Sequence, residues 1–190
     1  MADQQLDVLV ICGSLRKGSY NAALARTLPS LVPAGIKLTS APSFEKLPIY
    51  NFDLQQSGGF PAEANAWADA VRSADGVIVV SPEYNWSIPG GLKNAIDWVS
   101  RVQNQPLKDK PVAIQSATGG PMGGARMQYH MRAAMVFLNA LTFNTPEIFV
   151  GSAQTKFDDK LELKDETTIK FVKQQLVGFA AFIRKVSGKG

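Results

Sequence analysis

One cysteine and one histidine stand in 190 residues, and each scarcity excludes a class of chemistry. The lone thiol, Cys12, cannot close an internal disulfide, so nothing points to an oxidising compartment and the cytoplasm is the expected location. It falls in an apolar run and reads as inert packing. The lone imidazole, His130, has no ligand pattern around it and reads as a surface or interface residue; no metal site and no catalytic triad is expected. No stretch is long and apolar enough to cross a bilayer, and Met1-Ala2-Asp3-Gln4-Gln5 lacks the basic-then-apolar order of a signal peptide. Arginine-rich runs, aromatic RNA-binding signatures, repeats and low-complexity tracts are missing too. The excess of 20 Lys+Arg over 16 Asp+Glu leaves a charge of +4, which suits nucleic acid or any anionic small molecule. The basic residues are scattered, apart from Arg184, Lys185 and Lys189 in the tail, so no nucleic-acid partner is expected.

What is present is ample apolar material, 45% of the chain, enough for one good-sized domain over residues 1–190. Leu6–Cys12 is short and β-branched and stops at Gly13-Ser14, as a strand buried on both faces does. Further strands are predicted at 36–41, 76–81, 111–116 and 143–150. Helical spacing marks 22–31, with Leu24, Leu28 and Leu31 along one side, and also 62–74, 89–101 and 125–141. In the last of these, Met131, Met135, Leu138 and Leu141 face inward. Residues 42–59 read as a long connection. The closing helix is marked by Ile169, Val172, Leu176, Phe179, Ile183 and Val186 at spacings of three and four. Its Gly178 is a cost that the pattern overrides. Five strands alternating with five helices predict an α/β fold with a parallel sheet covered on both faces.

In open sheets of this kind, ligands lie beyond the carboxyl ends of the strands. The segment Gly13-Ser14-Leu15-Arg16-Lys17-Gly18-Ser19-Tyr20-Asn21 sits there, between a strand and a helix N-terminus, where backbone N–H groups and the helix dipole attract phosphate. Ser14, Ser19 and Asn21 add polar donors and Arg16 a planar cation. The nucleoside-triphosphate loop needs Lys then Ser/Thr after its second glycine, and Ser19-Tyr20 follows instead; the dinucleotide motif fails at Leu15. A cradle for one terminal phosphate remains, beside the plainer reading of a serine-rich connection with Ser19 capping a helix.

The stretch Ser81-Pro82-Glu83-Tyr84-Asn85-Trp86-Ser87-Ile88-Pro89-Gly90-Gly91-Leu92-Lys93-Asn94-Ala95-Ile96-Asp97-Trp98 resembles the signature of NAD(P)H-dependent FMN reductases, closest to the bacterial quinone and chromate reductases. The first loop is similar to that family's G-S-x-R-x-x-S-x-N phosphate motif, and 119–126 to its glycine-rich third segment. The resemblance spans nearly the whole chain. It implies a flavodoxin-like three-layer sandwich with a five-stranded parallel sheet of order 2-1-3-4-5, non-covalent FMN, and NADH or NADPH as co-substrate. It further implies that Ser14, Arg16, Ser19, Tyr20, Asn21 and Ala22 surround the FMN phosphate, and that Pro82, Glu83, Tyr84 and Asn85 line one side of the ring. Ser116, Ala117, Thr118, Gly119 and Gly120 would approach its pyrimidine edge, with backbone N–H groups reaching the ring. No residue would be catalytic, since the flavin carries the chemistry.

Glu83 would serve through its backbone while its carboxylate makes a structural bond, and Tyr84 would flank the flavin or touch another subunit. Trp86 departs from the family pattern and would shape acceptor entry or cover the cleft. Arg101 would attract an anionic acceptor or the nicotinamide phosphate, or else neutralise a helix end. The stretch from Met122 to Met135, with Arg126, Tyr129 and Arg132, reads as a subunit contact or as ordinary core plus solvated face. The partners implied are a small-molecule electron acceptor and further copies, as a homodimer or homotetramer. The rival function is a flavodoxin-like electron carrier, although carriers are usually acidic and this chain is basic.

Overall fold

A computed structural model describes residues 4–188. Five strands, β1 (Leu6–Cys12), β2 (Ile36–Ser40), β3 (Gly76–Val80), β4 (Pro111–Ala117) and β5 (Leu141–Val150), form one parallel sheet in the order β2-β1-β3-β4-β5. The helices are α1 (Tyr20–Thr27), α2 (Phe52–Gly58), α3 (Ala62–Ser73), α4 (Gly90–Val99), α5 (Ala125–Phe137) and α6 (Glu166–Ser187). The two-residue period of β1 explains the layers. Leu9 and Ile11 pack with Trp67, Trp98, Met127 and Met131 on the α3, α4 and α5 side. Leu6, Val8 and Val10 pack with Leu24, Leu28, Leu176 and Phe179 on the α1 and α6 side. Every residue of the central strands β3 and β4 is buried. This is the expected three-layer sandwich and strand order.

The differences have local causes. The residues 42–59, expected as connection, contain α2, capped by the Asn51 side chain; none of its residues is buried, so no apolar period marked it. Six α-helices therefore stand among the described residues where five are expected. Helix α1 starts at Tyr20 because the Ser19 hydroxyl accepts from the Asn21 and Ala22 N–H groups, and Leu28–Ser30 continues it as a tighter turn containing Pro29. Helix α5 stops at Phe137 because Asn139 takes a left-handed φ of 54°. Leu141, expected on the inner face of that helix, instead opens β5 opposite Pro111. The Gly178 hydrogen faces the Phe143 ring, and a Cβ there would lie 2.8 Å from Cζ, so the glycine makes room for an aromatic side chain.

Candidate active-site cleft

Three connections emerge from the carboxyl edge of the sheet, after β1, β3 and β4, and each is shaped by its own residues. After β1, the Gly13 N–H bonds the Val80 carbonyl at 2.8 Å. A Cβ at Gly13 would come within 2.5 Å of Ser81 Oγ, so a bulkier residue would push the loop off the sheet. Ser14 Oγ accepts from the Arg16 N–H at 3.3 Å, and Arg16 Nη2 donates to the Gly18 carbonyl at 2.6 Å. Arg16 is exposed, so its guanidinium can exchange that carbonyl for an anion. Asn21, expected at the phosphate, lines the cleft and also joins two of the connections. Its buried amide pairs with the backbone of Ala117, Nδ2 donating to the carbonyl at 2.8 Å and Oδ1 accepting from the N–H at 2.9 Å. Asn21 clasps the first loop to the end of β4.

After β3, Tyr84 and Ser87 exchange backbone hydrogen bonds of 3.0 and 2.9 Å around a two-residue turn. Asn85 and Trp86 both carry positive φ there, 49° and 66°, the geometry of a primed hairpin turn. Asparagine accepts that geometry readily; tryptophan adopts it at a cost of roughly 1–2 kcal/mol. The Trp86 ring lies 4.3 Å beneath the Arg126 guanidinium, which in turn sits 3.7 Å from Glu83 Oε1. Glu83 Oε2 accepts the Met127 N–H at 3.1 Å, in the first turn of α5, whose own N-cap residue, Gly124, has no side chain to do so. The Glu83 carboxylate is thus structural, as expected, and faces α5.

After β4, Gly123 and Gly124 have φ of 58° and 85°. A Cβ on Gly123 would come 2.6 Å from the Phe149 carbonyl carbon, and one on Gly124 2.8 Å from Ser116 Oγ. Gly119 and Gly120 differ: Gly120 has nothing within 4 Å of where a Cβ would be and Gly119 only a side-chain tip at 3.6 Å. Small residues are thus kept where no protein atom needs the room. The Ala117 and Thr118 N–H groups are occupied, by Asn21 and by the Val150 carbonyl.

Together the three connections enclose a cleft of about 330 Å³ lined by Ser14, Arg16, Ser19, Tyr20, Asn21, Pro82, Glu83, Tyr84, Ala117, Thr118 and Gly119. Four residues expected beside them are not in its wall. Ala22 lines a cavity on the other side of the first loop, Asn85 occupies the turn, Ser116 is fully buried beneath the wall, and Gly120 lies just past its end. Trp86 is 65% exposed at the rim. Arg101 follows the C-terminal end of α4, about 15 Å along the helix from the loop at its start. Its guanidinium lies 5.5 Å over the Tyr50 ring, outside the cleft wall.

The neighbouring cavity is larger, about 520 Å³, and holds Cys12, Arg26 and Trp67 in its wall, but no residue of the second or third connection. Cys12 is only half-buried, contrary to expectation, because its side chain opens on that cavity; burial still raises its thiol pKa. His130 is exposed, with Nδ1 3.0 Å from Ser87 Oγ. No metal-binding group of His, Cys, Asp and Glu occurs among the described residues. The sequence motifs mark neither the Arg126–Trp86 stack nor the buried Gln128, whose amide donates to Ser116 Oγ and the Ile148 carbonyl. The one available signal for Gln128 was a polar residue on the face of α5 shared by Met127, Met131 and Met135.

Known proteins share this chain's sequence and fold. The family profile of the NADPH-dependent FMN reductases matches residues 6–155. A quinone reductase of Escherichia coli (strain K12) is 49% identical over 184 residues, covering 96% of this chain and 98% of that protein. An NAD(P)H-dependent FMN reductase of Pseudomonas aeruginosa is 41% identical over 183 residues, covering 96% and 98%. Among solved structures, a flavoenzyme NAD(P)H:(acceptor) oxidoreductase from Paracoccus denitrificans superposes with a TM-score of 0.84 at 30% identity, covering 95% of this chain and 98% of that one. Sheet order, the three connections and the matched sequence agree: the chain belongs to the NADPH-dependent FMN reductase family.

Proposed function

We propose that the cleft holds FMN, with its phosphate in the 13–21 loop and its ring along Pro82–Tyr84 and Ala117–Gly119, and that reducing equivalents pass through it from NADH or NADPH to a small-molecule acceptor. The observation that carries this reading is the convergence of the three motif segments on one cleft wall. The residues fit the group. The Ser14 and Ser19 hydroxyls, each accepting backbone N–H bonds, keep their own protons to donate; Arg16 adds the full charge, and the start of α1 its positive end. The one acid in the wall, Glu83, turns its carboxylate to α5, so no anion opposes a phosphate.

Bound FMN supplies hydride acceptance and onward reduction; the chain supplies placement and electrostatics. The Asn21 clasp ties the phosphate loop to β4, which fixes the distance between the two ends of an elongated ligand. With the Ala117 and Thr118 N–H groups occupied, donation to a ring edge falls to Gly119 and Gly120, the donors suited to stabilise negative charge developing there. Acceptors of the quinone, free-flavin and chromate type fit an open ring face, and the Arg126–Trp86 stack at the rim favours anionic or aromatic ones. Arg101 has no part in this chain's own cleft.

A cytoplasmic homodimer or homotetramer is part of the same proposal. Tyr129, Val136 and Phe137 of α5 are exposed, a surface suited to a second copy. Light scattering should return a mass of two or four chains. The purified protein should be yellow and oxidise NAD(P)H when a quinone, ferricyanide or chromate is added. A colourless protein that FMN cannot reconstitute overturns the reading, and a yellow one without turnover returns the carrier alternative.

A further inference from the structure

Beneath the cleft wall lies a buried polar relay that touches nothing in the cleft. Gln128 and Ser116 are both 0% exposed. Gln128 Nε2 donates to the Ile148 carbonyl and to Ser116 Oγ, each at 2.8 Å. Ser116 Oγ donates onward to the Gly123 carbonyl at 2.5 Å. The direction of the chain is fixed by chemistry, since the Ile148 and Gly123 carbonyls can only accept. The nitrogen of the amide must therefore face Ile148, and the hydroxyl must pass its proton side to Gly123. Gln128 Oε1 is left buried without a partner, an omission that costs about 1–3 kcal/mol. Leucine or methionine would avoid that cost on this methionine-lined face of α5, but would make neither of the two donated bonds.

What the relay holds is the turn carrying the cleft's glycine strip. Gly123, the relay's last acceptor, packs against the Phe149 carbonyl carbon, and Gly124 against Ser116 itself. The Gly120 carbonyl at the other end of the turn accepts from the Ser152 N–H at 3.0 Å and Thr118 Oγ1 at 3.2 Å. With that end tied to the loop after β5, the Ser116–Gly123 bond ties the other end of the turn to β4.

We propose that Gln128 is a positioning residue for electron transfer. Through Ser116 it fixes the Gly119–Gly120 backbone against the flavin ring and so sets the reduction potential of bound FMN, without contacting it. The inference rests on the FMN reading given above. Donors aimed at the pyrimidine edge favour the reduced, more anionic flavin, and a turn released from the relay aims them less well.

The test is redox titration of the FMN-loaded protein with Gln128→Met, which keeps the side chain's length and removes its donors, and with Ser116→Ala, which cuts the same relay from the other end. Each should weaken binding of reduced FMN about tenfold more than that of oxidised FMN, lowering the two-electron midpoint by about 30 mV. Because both cut one relay, the double variant should shift no further than either alone. An unchanged potential in both variants, even with a lower melting temperature, would mean the relay only stabilises the fold; additive shifts would mean the two residues act separately. Should Gln128→Met not fold, the potential of Ser116→Ala alone decides. A wild-type protein that takes up no FMN sinks the flavin reading instead, an outcome seen before any titration.

Discussion

The loop after β1 holds its shape with side chains. Ser19 caps α1, Ser14 and Arg16 fold the chain back on itself, and Asn21 reaches across to Ala117. The turn after β4, on the facing side of the cleft, is shaped by missing side chains, with one buried hydroxyl, Ser116, tied to its Gly123 carbonyl: Gly123 and Gly124 lie so close to Phe149 and Ser116 that no Cβ fits. The first design leaves polar groups at the surface to meet an anion. The second gives a rigid wall with backbone exposed, which suits the edge of a flat ring. A loop built on side chains should lose ligand when one is removed, and a turn built on glycines should lose its fold when one is filled.

The sharpest test of that contrast is Gly123→Ala. The added methyl meets backbone in a left-handed conformation, and the fold should lose about 3 kcal/mol, measured by denaturant unfolding. An unaltered midpoint would mean the turn is soft. Next comes Asn21→Ala, which strands the buried Ala117 N–H and carbonyl. It should cost about 2–3 kcal/mol and weaken FMN binding as well, since it joins the two sides; loss of affinity with full stability would make it a ligand rather than a clasp. Arg16→Ala should weaken FMN affinity by roughly tenfold to a hundredfold while the apoprotein unfolds as before. An unchanged flavin dissociation constant would remove Arg16 from the phosphate site.

The smallest effect belongs to Asp165, the N-cap of α6, which is not in the cleft wall. Its carboxylate accepts from the Thr168 side chain and N–H and pairs with Lys156 at 2.9 Å. Those bonds, the Thr168 hydroxyl's first, lower its pKa from 3.8 to about 2. A depressed carboxyl pKa contributes stability fully above the unfolded value, and that contribution fades as pH falls from about 4 to about 2. Asp165→Ala should cost about 1 kcal/mol at neutral pH and flatten the acid limb of the stability curve in that window. FMN affinity should not move.

Much of this was readable in advance for identifiable reasons. The strands β1, β3 and β4 are apolar runs because both faces are covered, and the closing helix buries Val172, Leu176, Phe179 and Ile183 of its expected stripe, while Val186 at its end is exposed. The first loop was legible because motifs that need a lysine or a middle glycine fail there at named positions. Helix α2 was not, since it buries no residue and so carries no apolar period. The end of α5 was misplaced by four residues because Leu138 and Leu141 prolong the pattern across Asn139, whose left-handed φ is decided by the entry into β5. Ser116 and Ala117 are neighbours in sequence and both buried, yet alternate pleats turn one to Gln128 of α5 and the other to the α1 side, at the cleft wall.

Sequence periodicity determined the layers, because it is a local property of the chain, and the resemblance to a known family implied the strand order and the three segments that meet at the carboxyl edge. Only the tertiary structure decided what each polar side chain faces. Asn21 is a clasp because it lies opposite the Ala117 backbone, Glu83 a cap because α5 begins within its reach, and Gln128 a brace because Ser116 and Ile148 converge on it. Their partners stand 96, 44, 12 and 20 residues away in the chain, and a hydrogen bond needs its two atoms within about 3 Å.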